Sequence, residues 1–203
     1  MRFVQGKIRQ KLLPVVFVIL AFSFLAANSQ AGDNTEENAS QEVLARLQLS
    51  PAVKAKVDAI FAGYKGQIEA RAKALDEAYG KAMDAAFAKA ANKGSEDAVK
   101  AAKEKWDEET RLYSTTIQER DAKVKQALPP ASAAKFARGM TLVTERHEKC
   151  QAVFNESFAK MRENATQEET KKIEAEANEK LDAIYNDYNK KLDAEVGKVI
   201  EQK

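Results

Sequence analysis

The chain has 203 residues, 32% of them charged, with one Cys, one His, four Pro and eight Gly. That length holds one domain or an extended chain but not two large domains. A single Cys forbids an intramolecular disulfide, and a single His excludes a multi-imidazole metal site within one chain and argues against most acid/base catalysis.

Residues 1–11 are basic, residues 12–27 form an almost unbroken apolar run, and Ser29 and Ala31 put small residues where a signal peptidase reads. This pattern predicts a secretory signal peptide over residues 1–31, cleaved after Ala31. The apolar run contains Pro14 and falls short of the ~20 residues that cross a bilayer, so it is read as a cleaved leader and not as an anchor. Arg2, Lys7, Arg9 and Lys11 lie in this segment with no acid, so its removal takes the formal charge from +2 to −2. Nucleic-acid binding thereby loses its electrostatic support. The expected product is soluble, exported, and periplasmic or secreted.

Residues 32–46 are polar and acidic and predict a flexible leader. From Val43 onward the sequence reads as helix. Pro51 and Pro129-Pro130 mark two helix starts, because Pro fits the first turn and not the interior. Between them Gly94 is suited to ending a helix, and Ser95 with Glu96 and Asp97 to starting the next. Thr166 and Glu169 have the spacing of a capping box. Four long helices are predicted, at about 51–92, 95–127, 130–164 and 167–201, with no sheet.

Each carries one narrow apolar row. The first row is Val53, Val57, Ile60, Tyr64, Ile68, Leu75, Tyr79 and Phe87, with Phe61 and Met83 beside it. The second is Val99, Ala102, Trp106, Tyr113, Ile117, Val124 and Leu128. The third is Phe136, Met140, Val143, His147, Cys150, Phe154, Phe158 and Met161, and the fourth runs from Ile173 through Leu192 to Val196 and Val199. One stripe per helix, with Lys and Glu on the remaining surface, predicts an all-α fold of elongated antiparallel hairpins resembling coiled coil, because 40 helical residues extend ~60 Å. Such a shape buries little core per chain, so self-association is expected.

The two Pro-marked starts, Leu49-Ser50-Pro51-Ala52-Val53 and Leu128-Pro129-Pro130-Ala131-Ser132 with Phe136 after it, resemble the Leu-Thr-Pro-x-Gln helix openings of the LTxxQ-motif periplasmic (Spy/CpxP-like) family. Ser50 can still cap, but Val53 cannot supply the Gln half of the capping box, and Pro129 with Ser132 replaces both polar partners in the second copy. The resemblance rests on Leu49, Ser50, Pro51, Leu128, Pro130 and Phe136. It divides the mature chain into a Spy/CpxP-like helical region at 47–149 and a helical extension at 150–203 that continues the third helix and forms the fourth. It implies a thin helical dimer that binds unfolded or misfolded envelope proteins without ATP and serves envelope stress. Phe61, Tyr64, Met83, Phe87 and Trp106 are then the candidate client-facing residues, with interhelix core as their alternative role.

His147 and Cys150, three apart on one helix, are the only metal-ligand candidates. A stable site needs three or four ligands, which a two-fold dimer alone would supply, so a metal-responsive sensor stands behind the chaperone reading. A structural coiled-coil module, or a Skp-like holdase whose arms enclose clients, is the other alternative. No phosphate-binding loop or nucleophile set is present in the sequence, no cofactor is expected, and the chain reads as a non-enzyme.

Overall fold

The computed structural model describes residues 38–161 and 166–199, so the signal-peptide reading of 1–31 and residues 32–37 lie outside the described residues. The described chain is helical throughout, with no strand among the described residues. Residues 38–44 form a short helix, α1; then come α2 (Pro51–Ala90), α3 (Glu96–Ala127), α4 (Pro130–Met161) and α5 (Gln167–Glu195).

The starts of the helices follow the sequence signals closely. The Ser50 hydroxyl accepts from Val53 N–H at 3.4 Å and Ser95 from Ala98 N–H at 3.2 Å, so each satisfies an N-terminal amide that has no partner inside its helix. Thr166 completes a full capping box, in which its hydroxyl accepts from Glu169 N–H while its own N–H donates to the Glu169 carboxylate at 2.6 Å. Pro51 and Pro130 are the first residues of α2 and α4. The stop after α2 differs from expectation. The left-handed residue is Asn92 (φ 57°), and Gly94 is instead needed for close approach: a Cβ there would lie 2.9 Å from Lys89 N. Asn can occupy the left-handed region, which releases Gly94 for the tight turn.

The described chain divides into two compact units. The first contains residues 60–120. Here α2 and α3 run antiparallel, as the pairing of Arg71 with Glu109 and of Lys89 with Glu96 requires. Tyr64, Ile68, Tyr113 and Ile117 form its core, with Ile60, Ala72 and Leu75 packed against them. Beyond Leu75 the buried positions of α2 are Ala78, Ala82 and Ala86, while Tyr79, Met83 and Phe87 are only half-buried. On α3, Glu109 and Arg120 are buried in line with Tyr113 and Ile117, so charged residues occupy seam positions that an apolar pattern passes over.

The second unit contains residues 34–59 and 121–203. In it α4 and α5 lie antiparallel, tied by Glu156 to Lys180, Lys149 to Asp187 and Arg138 to Glu195. Buried on α4 are Phe136, Gly139, Leu142, Val143, Cys150, Val153, Ser157 and Met161, with Arg146 nearly buried between Val143 and Cys150. From Phe136 to Ser157, Leu142 aside, these positions step alternately by three and four, the 3.5-residue period of a coiled-coil seam. Of the predicted third row, Phe136, Val143, Cys150 and Met161 are buried, whereas Met140, Phe154 and Phe158 are half-buried and His147 is exposed. The fourth row holds up to Val196, after which Val199 is 56% exposed.

The predicted leader also needs correction in this unit. Instead of a flexible stretch to residue 46, α1 and the turn after it bury Ala39, Ser40, Val43, Arg46 and Leu47. Val43 enters a notch in α4 that exists only because residue 139 is glycine: a Cβ there would lie 2.5 Å from Val43 Cγ1 and 3.3 Å from Val196 Cγ2. Polarity of composition was misleading, because Ala39, Val43 and Leu47, four apart, form a one-sided apolar face within a polar segment.

Candidate functional site

The five residues proposed to face clients lie on α2 and α3. Tyr64 is in the first unit's core, at 9% exposure, and its role there is packing. Phe61 is half-buried beneath the Arg120 guanidinium, 4.5 Å above its ring, so the aromatic face offsets part of the cost of taking that charge out of water. Trp106 meets Tyr79 edge to face with centroids 5.7 Å apart. Trp106, Met83 and Phe87 keep part of their surface in contact with solvent. Around Trp106 the exposed face is dense with opposite charges: Lys103 pairs with Asp107 at 2.7 Å, and Lys105 with both Glu108 and Glu109. Those hydrogen bonds hold the Lys105 ammonium above its ordinary pKa and the Glu108 carboxyl below its own.

His147 and Cys150 are not brought together as a pair. His147 points to solvent while Cys150 is buried, where desolvation raises the thiol pKa against the opposing effect of the Arg146 charge. Among the described residues no group of three His, Cys, Asp or Glu converges as a metal-binding set would. Of the motif positions, Ser50 caps α2, Leu128 and Phe136 are buried, and Leu49 is half-buried.

A polar cluster that the sequence did not announce lies in the second unit. Glu42 of α1 accepts a hydrogen bond from the Tyr188 hydroxyl at 3.2 Å and pairs with Arg46 at 3.6 Å and Arg146 at 3.9 Å. Arg46 also reaches Asp193 at 3.6 Å. The Arg146 guanidinium lies over the rings of Tyr188 and Tyr185, 4.4 and 5.3 Å from their centroids. Burial, then the Glu42 charge, pushes the Tyr188 phenol up to about 12. Ser40, fully buried, donates to Asp121 at 2.7 Å. The sole signal available beforehand was the spacing of Glu42 and Arg46, i and i+4 on a helix, inside a segment read as leader. At the end of this unit, a cavity of about 470 Å³ is lined by residues that include Arg46, Ser132, Lys135, Gly197 and Lys198.

Chemically, the first unit offers partly exposed aromatic and thioether groups beside paired charges, and the second a carboxylate shared among three donors. Among the described residues no helix is long and apolar enough to cross a membrane. No family model, curated protein or solved structure matches the chain.

Proposed function

We propose that the chain is an exported, ATP-independent binding protein for unfolded polypeptides, acting in the periplasm or envelope as a non-enzymatic chaperone or stress protein. The observation that carries this reading is the set Met83, Phe87 and Trp106, left half-exposed along α2 and α3 while alanines fill the buried line of α2 beyond Leu75. Apolar side chains that keep some exposure beside exchangeable Lys and Glu pairs give weak, adaptable contacts and keep a complex soluble. Helix starts at Ser50-Pro51 and Pro130 support the resemblance to LTxxQ-motif proteins, which implies a homodimer of elongated hairpins.

The test is light scattering from a chemically reduced or heat-unfolded client mixed with the mature chain and no nucleotide. Near-stoichiometric amounts suppress aggregation, and replacing Met83, Phe87 and Trp106 together with Ser weakens suppression while the helical circular dichroism persists. No suppression by the unaltered protein rejects the reading. The structural coiled-coil alternative has the three-four alternation of buried positions between Phe136 and Ser157 of α4 in its favour, and that outcome would move it to first place.

A further inference from the structure

We propose that residues 38–47 are a resident occupant of a helix-binding groove in the second unit, and that the same groove accepts a client segment of matching chemistry: a short helix with small and β-branched apolar residues four apart and a carboxylate next to them. This rests on the reading of the chain as a binder of unfolded polypeptides.

The groove has a defined shape and charge. Its floor carries the Gly139 notch, bordered by Val196, into which a β-branched side chain fits. Its rim carries Arg146 and Tyr188, which together receive a carboxylate. Residues 38–47 match each feature, with Val43 in the notch, Glu42 at the rim, and Ala39 and Leu47 buried to either side.

The seat of this segment is nevertheless imperfect. Arg46 is carried into the interior with it, and its Nε and Nη1 are buried without a hydrogen-bond partner. Its ion pairs, at 3.6 Å, are too long to act as hydrogen bonds, so the desolvation of the guanidinium is poorly offset. A helix as short as α1 has little stability away from its groove. The segment therefore lifts at a lower free energy than the α4/α5 pair beneath it opens, and an incoming helix without a buried arginine competes for the vacated site.

The experiment uses the full mature chain. Hydrogen exchange followed by mass spectrometry compares residues 39–46 with α4 and α5, in the unaltered protein and in Glu42→Gln. A fluorescent synthetic peptide with the sequence of residues 38–49 carrying Arg46→Ala, and the same peptide also carrying Val43→Asp, serve as probes for binding in trans. Residues 39–46 exchange faster than α4 and α5, and Glu42→Gln speeds their exchange by about tenfold with α4 and α5 unchanged. Peptide affinity rises by the same factor, because a site that is free only part of the time binds in proportion to that fraction. Tyr188→Phe, which removes one contact to the same carboxylate, gives a smaller change of the same sign and guards against a folding defect peculiar to Glu42→Gln.

Exchange of residues 39–46 only together with α4 and α5 would overturn the proposal. So would faster exchange without tighter peptide binding, or equal binding of the Val43→Asp peptide. If peptide binding behaves as stated but no client aggregation is suppressed, the groove stands and the chaperone reading falls.

Discussion

At Gly139 the space for a side chain is already taken by a neighbour. Ala there would place its Cβ against both methyl groups of Val43, a residue with no exposed surface and no room to retreat. The helix-propensity gain of Ala over Gly is about 1 kcal/mol, and overpacking a tight site costs about 1–3 kcal/mol, so Gly139→Ala should lower the melting temperature. Gly63, on the exposed side of α2 with no neighbour within 4 Å, has no such clash. Gly63→Ala should stabilise by about 0.5–1 kcal/mol, and the opposite signs in paired thermal melts are the check. Tyr188 supplies a pH test. Its folded-state pKa is raised from 10 to about 12, so the folded form holds a proton that the unfolded chain releases. This contribution to stability is complete below pH 10 and disappears as pH rises from 10 through 12. Tyr188→Phe should flatten that part of the stability profile and remove a phenol that titrates near pH 12 from an ultraviolet titration.

Helix α5 is the element whose start is most fully specified. Thr166→Ala removes one half of its capping box and should cost about 1 kcal/mol, read as a lower denaturation midpoint with unchanged slope. Caps and Pro-marked starts were legible because their chemistry is local: Ser50, Ser95 and Thr166 bond to amides three residues away. The row of α5 was also readable, since Ala177, Leu181, Ile184, Tyr188 and Leu192 are all apolar. That of α4 was readable by half: Phe136, Val143, Cys150 and Met161 are buried as their pattern implies, but Gly139, Arg146 and Ser157 hold seam positions without being hydrophobic, and the apolar pattern takes in Met140, His147 and Phe158 beside them. The charged members of the α3 seam, Glu109 and Arg120, were hidden for the same reason. Of the candidate binding residues, Tyr64 was lost to the core because its neighbours Ile68, Tyr113 and Ile117 close around it, a long-range fact that spacing along one helix does not contain.

For the molecule taken whole, the chaperone reading predicts that His147→Ala with Cys150→Ala leaves aggregation suppression intact, with or without chelator, since one side chain faces solvent and the other packs inside. Suppression that needs zinc and His147 would favour a metal sensor instead. The second unit has one more consequence, in time instead of in energy. It draws on residues 34–59 and 121–203, and its contact between Glu42 and Tyr188 spans 146 positions. At synthesis rates of about 5–20 residues per second, roughly 7–30 s separate the appearance of these two residues. Throughout that interval Glu42 and Arg46 have no Tyr188 or Asp193 to meet, whereas the α2 and α3 residues of the first unit meet partners close by in the chain. Folding order is thus written into the connectivity, with the nearest-neighbour hairpin first and α1 last. Pulse-labelling during refolding should show Tyr64 and Ile68 amides protected before those of residues 39–46, and residues 39–46 remain open to proteases and to other helices until α5 has arrived.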